Sequence, residues 1–299
     1  MAPIHKVALA GASGSVAQAL IPELLASGFD LTALVRPNST STLPASIPSI
    51  PVDYTDTAAL TTALTGFDAL ISTVGSPAIH LQTYLIDACI AAGVRRFIPS
   101  EFGCDTENPR ARALPVYGPK VQVAEYLEER TKCTQTTYTY IFNNAFLDWG
   151  IERKLLIDLH AKKMQLFDGG DRPWTATPLD FVAKGVVGVL KREEETRNRA
   201  VRLHGAKVTQ RQLLEVARRV VGSEGWTVEE KGSEEMEKEA YENLRTEPGN
   251  VMGWVMGFLC RAIYGEGFGG DFEGENDNQL LGLKSLGEAE VEEVVRRCV

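Results

Sequence analysis

Residues 8–20 read ALAGASGSVAQAL. The apolar run from Val7 to Ala10 has the character of a short strand, and a helical pattern follows from about Val16 to Ser27. Between them lies the turn Gly11-Ala-Ser-Gly14-Ser-Val-Ala17. Strand, glycine turn and helix in this order form the context of a dinucleotide phosphate-binding turn. Gly11 permits a tight turn, and Gly14 lets the backbone approach a pyrophosphate. Ser13, Ser15 and Val16 belong to the same expected contact, because N–H groups at a helix start face an anion with the helix dipole behind them. Two features depart from the G-x-G-x-x-G form. The first two glycines are three residues apart, and Ala17 stands where a third glycine normally allows close helix–strand packing. Ala17 adds one methyl, a small defect.

The next strand, Leu31 to Val35, ends at Arg36-Pro37-Asn38-Ser39-Thr40. A site that prefers NAD usually carries Asp or Glu about 20 residues past the turn, on the ribose 2′-hydroxyl. This chain has Arg36 there, followed by hydroxyls at Ser39 and Thr40, while Asp30 precedes the strand. A guanidinium suits a 2′-phosphate by charge and bidentate geometry. The reading is an NADP(H) site. The competing one is a solvent-exposed loop arginine.

Strand and helix keep alternating through the first half. Leu60–Leu64 reads as helix, Ala69–Thr73 as strand, Gln82–Ala92 as helix, Phe97–Pro99 as a strand end, Val121–Arg130 as helix and Tyr138–Ile141 as strand. Such alternation implies βαβ units, a parallel sheet and an α/β doubly wound fold of Rossmann type. Later, Phe181–Leu190 reads as helix, the charged run Arg192–Arg199 as a solvated helix end and Ala200–Leu203 as strand. Arg211–Val221 has helical apolar spacing at Leu213, Leu214, Ala217 and Val221, Ser233–Tyr241 reads as a surface helix, and Gly265–Asn278 is an acidic, glycine-rich loop.

The 299 residues are 44% hydrophobic and 24% charged, with a net charge of −9. That composition suits a globular enzyme and argues against nucleic acid as a partner. The opening residues lead straight into a strand, so no signal peptide is expected. Val251–Ile263 is apolar but too short to span a bilayer, so no membrane role is expected. Five scattered cysteines without C-x-x-C point to reduced thiols in the cytoplasm, with no disulfide frame and no metal site. His80 is expected to be structural or at a pocket rim.

Tyr117-Gly118-Pro119-Lys120 stands one residue short of the Tyr-x-x-x-Lys pair of short-chain dehydrogenases. Pro119 suits the first helical position, which leaves Tyr117 outside the helix. Lys120 then shares a face with Val123, Ala124 and Leu127, the expected buried face. Burial and a helix N-terminus both disfavour an ammonium, which suits a lysine for acid–base work. The competing reading is a lysine that snorkels to solvent.

Gly11-Ala-Ser-Gly14, Val35-Arg36-Pro37, Gln82, Gly93-Val-Arg-Arg-Phe-Ile-Pro-Ser-Glu-Phe-Gly103 and Lys120 together resemble the NmrA-like, isoflavone reductase-like group of atypical short-chain dehydrogenases. The likeness continues through Tyr140–Trp149, Thr196–Arg199 and Val208–Gln210, where it is closer to fungal members. The resemblance implies a Rossmann domain over residues 1–150. It implies a smaller, mainly substrate-binding α/β domain over 151–299, some of whose segments return to the first. It also implies NADPH as hydride donor and Lys120 as the proton-handling residue. Thr73 and Asn144 complete the expected cofactor contacts. Phe102, Phe146, Trp149 and Trp174 are expected to line the pocket, with Met252, Trp254 and Met256 as a lid. The expected substrate is an aromatic, phenylpropanoid-like or polyketide-like small molecule, and the expected assembly a homodimer. Two alternatives stay open: a dinucleotide sensor without turnover, and a dehydratase or isomerase on the same fold.

Overall fold

The computed structural model describes residues 2–39, 43 and 47–299; Thr40 lies outside them. The chain runs β1 (Lys6–Ala10), α1 (Ser15–Ala26), β2 (Asp30–Val35), β3 (Ser49–Pro51), α2 (Thr57–Leu64), β4 (Ala69–Ser72), α3 (Gln82–Ala92) and β5 (Arg96–Ile98). It continues with α4 (Pro109–Arg112), α5 (Gly118–Thr131), β6 (Thr137–Phe142), β7 (Ala145–Phe146), α6 (Leu147–Glu152), β8 (Lys163–Phe167) and β9 (Trp174–Thr177). The last part holds α7 (Leu179–Lys191), β10 (Arg199–Arg202), β11 (Ala206–Val208), α8 (Gln210–Val221), β12 (Thr227–Lys231), α9 (Ser233–Thr246), α10 (Val251–Tyr264), α11 (Asn278–Leu281) and α12 (Glu288–Arg297).

Seven parallel strands lie in the order β3-β2-β1-β4-β5-β6-β10. The strands are apolar on both faces because helices cover both. Val7 and Leu9 of β1 face a layer built with α1 and α7, while Ala8 and Ala10 face a layer built with α2, α3 and α5. Leu70 alternates with Ala69 and Ile71 in the same way. Ala17 is wholly buried in the α1 layer, so helix and strand pack without a third glycine. The order reverses between β1 and β4, and such a switch point opens a crevice at the carboxyl ends of the strands.

Two small sheets stand beyond this crevice, β11-β9-β7 and β12-β8. A core of α6, α8, α12 and these strands fills out the second half. The antiparallel pair α9–α10 packs on the segment from Cys104 to Tyr117. From within the second half, α7 and β10 return to the large sheet.

The Arg192–Arg199 run is mostly solvated, as expected, but it is not helical: 192–198 are turns after α7, Arg199 opens β10, and Thr196 is wholly buried. The cause is Arg96, a buried arginine on β5. Its guanidinium donates to the hydroxyls of Thr137 (2.9 Å), Thr139 (2.7 Å) and Thr196 (2.9 Å), and to the Glu193 carbonyl. Arg95 pairs with the Glu193 carboxylate at 2.8 Å. Burial pushes Arg96 down to about 10.

Candidate active site

The crevice is a succession of three adjoining cavities. The first, about 360 Å³, lies over the glycine turn, with Gly11, Ser13, Gly14, Arg36, Ser39 and Thr73 on its wall. Gly11 sits at φ +79°, and a Cβ there would come within 2.7 Å of the Thr73 carbonyl group, so only glycine fits. Thr73 braces the turn: its hydroxyl donates to the carbonyls of Ala10 (2.9 Å) and Gly11 (3.1 Å). Gly14 is the N-cap of α1, where no side chain caps the helix and no acid occupies the first turn. Its first N–H groups are therefore available to an anion. Gly14 itself is less crowded than expected; a Cβ there would make only ordinary contacts, 3.5 Å from Gly11 O and 3.6 Å from Thr73 O. Asp30 opens β2, at the end away from Arg36, so no carboxylate of that strand competes with the guanidinium.

Tyr54 escaped the sequence reading. Its hydroxyl accepts the Gly11 N–H at 3.3 Å and donates to the Leu34 carbonyl at 2.7 Å, tying the turn to β2. Burial pushes this phenol up to about 12. The one local signal was an aromatic placed between β3 and α2.

The second cavity, about 310 Å³, starts at Gly14, Ser15 and Val16 and reaches Phe102, Lys120, Phe146 and Trp149. The helix α5 starts one residue earlier than expected, at Gly118, with Pro119 second and Tyr117 outside it as the N-cap. Val123, Ala124 and Leu127 are buried and Lys120 is half-buried at the cavity wall. The Lys120 ammonium donates to the Glu101 carbonyl oxygen. Glu101 was also missed as a site residue, although it stands in the quoted motif. Its carboxyl is buried and, among the described residues, receives a long contact from the Thr106 hydroxyl, 3.4 Å. Burial raises its pKa, and the Lys120 cation opposes that rise. Phe102 follows at φ +26°, a strained backbone for a residue with a side chain, and this bend turns its ring into the cleft.

The third cavity, about 270 Å³, is an apolar chamber beyond Lys120. Phe146 and Trp149 meet edge to face at 6.2 Å on one side, and Met256, Cys260 and Tyr264 of α10 close the other. Burial pushes the thiols of Cys104 and Cys260 up to about 11 and about 12.

Two expectations, for Trp174 and for the lid, are corrected by these positions. Trp174 does not line the chamber. It is wholly buried and packs edge-on behind Tyr264, whose ring takes the wall position. Of the expected lid, Met256 reaches the chamber. Met252 is 59% exposed, and the Trp254 indole donates to the Pro248 carbonyl outside the chamber. Asn144 lies at the chamber, away from the glycine turn; its amide donates to the carbonyls of Thr175 (3.1 Å) and Gly270 (2.8 Å) and accepts the Cys104 thiol (3.3 Å). His80 is exposed.

No helix among the described residues is long and apolar enough to cross a membrane. The model of the NmrA-like family matches residues 3–231. Oxidoreductase poxI of Penicillium oxalicum is 32% identical over 298 residues, covering 96% of this chain and 92% of that protein. Oxidoreductase aprR of Aspergillus flavus is 35% identical over 272 residues, covering 89% and 90%. Among solved structures, the binary complex of leucoanthocyanidin reductase with NADPH from Vitis vinifera aligns with a TM-score of 0.79 at 20% identity, covering 97% of this chain and 99% of that one.

Proposed function

This chain belongs to the NmrA-like family and is an oxidoreductase of that kind, and we propose that it reduces an aromatic or polyketide-like small molecule with NADPH. The observation that carries the reading is the continuity of the cleft. It runs from Arg36, past Gly11, Gly14 and Thr73, to Lys120, and opens there into an apolar chamber. The residues fit the cofactor: a turn that accepts only glycine at its tightest point, an uncapped helix N-terminus and an arginine at the strand end. The plant structure of the same fold is an NADPH complex.

When bound, NADPH supplies the hydride, and an electrophilic carbon of an enone, quinone or quinone methide suits it as acceptor. The N–H groups of Ser15 and Val16 would hold the pyrophosphate, and Arg36 would hold the 2′-phosphate. Phe146, Trp149 and Tyr264 orient the substrate ring and exclude water. Lys120, held on the Glu101 carbonyl, moves the proton at its Nζ, directly or through water.

The test is a screen of aryl enones, quinones and related phenolics by NADPH oxidation. Lys120→Ala keeps NADPH binding and lowers turnover by about 10²–10⁴-fold, the usual contribution of a general acid–base group. Lys120→Arg does not rescue it, since a guanidinium holds its proton near neutral pH. Wild-type turnover by Lys120→Ala would make the lysine structural. Tight NADPH binding with an empty screen would favour a sensor.

A further inference from the structure

The turn from β10 into β11 carries His204, a histidine 5% exposed that lies away from the dinucleotide cleft. Its tautomer follows from its neighbours. The Thr175 hydroxyl oxygen accepts the Phe272 N–H at 2.8 Å and lies 3.0 Å from His204 Nδ1. A threonine hydroxyl has one proton to give, and Nδ1 is its acceptor among the described residues. Nε2 of the neutral ring therefore carries the N–H. Burial lowers the pKa of the imidazole, in keeping with a neutral ring. Nε2 donates to no protein group among the described residues and is not sealed from solvent.

With Nδ1 turned inward on Thr175, the opposite ring edge faces a cavity of about 600 Å³ that His204 lines. No residue of this cavity belongs to the cleft described above. Its floor is apolar: Val208, Leu213, Val216, Leu286 and Val291. Its charged residues are already paired, Lys207 with Glu273 (2.5 Å), Arg211 with Asp171 (3.5 Å), Arg219 with Glu288 (2.6 Å) and Glu215 with Arg218 (2.7 Å). Among the described residues, no cation there is left over for an anionic ligand, and no carboxylate for a cationic one. What the cavity offers a ligand is apolar surface and one imidazole N–H that no protein group among the described residues accepts, which suits an uncharged oxygen acceptor on an apolar body.

We propose that this cavity is a second small-molecule site, taking a neutral, mostly apolar carbonyl compound whose oxygen accepts from His204 Nε2. The site is independent of the reductase chamber and remains whatever the substrate there.

Benzophenone is the probe: it is neutral and apolar, carries one carbonyl, and under ultraviolet light inserts into nearby C–H bonds. The full chain, saturated with NADP+, is irradiated with it, and the adducts are located by peptide mass spectrometry. Adducts are expected within residues 204–219 and 285–291. His204→Asn keeps an acceptor for Thr175 but withdraws the Nε2 donor, and should lower that labelling about tenfold, as for one lost buried hydrogen bond. Glu215→Trp, on the exposed side of α8, places an indole over the cavity and should abolish labelling even if His204→Asn does not fold. Labelling confined to Phe146, Trp149 and Met256, or undiminished in Glu215→Trp, would overturn the proposal.

Discussion

Arg36 and Glu101 set two different electrostatic problems. Arg36 is exposed at the mouth of the first cavity, so its interaction with a phosphate is shared with solvent. Arg36→Ala should weaken NADPH binding by about tenfold, roughly 1.4 kcal/mol, and leave NADH binding nearly unchanged. Calorimetry with both cofactors checks this, and equal wild-type affinities would remove the arginine from the 2′-phosphate. Glu101 is the opposite case, a carboxyl kept from water, with a pKa raised above its ordinary 4.5 by burial against the pull of Lys120. The folded state then holds the proton more tightly than the unfolded chain. The resulting stabilisation is fully present below 4.5 and is lost as pH rises through the raised folded value. Glu101→Gln, which cannot ionise, should match wild type in acid and become progressively more stable than it at higher pH. Urea melts across pH read the difference, and parallel curves would show that the carboxyl titrates normally.

Glycine permits close approach in two elements that shape the cleft, the turn after β1 and the hairpin of α9 and α10. The turn after β1 needs Gly11 because a Cβ there would lie 2.7 Å from the Thr73 carbonyl group. In the hairpin of α9 and α10, a Cβ on Gly257 would lie 2.4 Å from the Met236 carbonyl oxygen and 2.7 Å from the Ala240 methyl. Gly257→Ala must therefore push α10 away from α9, at about 1–3 kcal/mol, the usual range for overpacking. Since α10 also supplies Met256, Cys260 and Tyr264 to the chamber, substrate binding should weaken along with stability. A denaturation midpoint equal to wild type would show that the two helices adjust without loss.

Across the whole molecule, a ligand that binds only the folded state stabilises all of it. NADP+ at a hundred times its Kd should add about 2.7 kcal/mol, read as a rise in melting temperature. Gly14→Val should melt like the ligand-free wild type, because that position has room for a Cβ beside the protein. It should gain nothing from NADP+, because the branched side chain occupies the cleft. A retained thermal shift would move the cofactor off this turn.

What the sequence determined by itself was local and periodic. Residues 8–20 announced a strand, a glycine turn and a helix, and alternation down the chain implied the parallel sheet. Arg36 followed from its distance past the turn, and the place of Lys120 at a helix start followed from Pro119. Each signal arises within one element or at its end, where backbone geometry acts on neighbouring residues. Tertiary structure alone decided which side chains meet across the chain. It set Tyr54 on Gly11, and it put Tyr264, not Trp174, on the chamber wall. It also buried Thr196 on Arg96 and turned His204 onto Thr175. These contacts join residues far apart in sequence, so no period or spacing encodes them; they exist only once helices and sheets have packed.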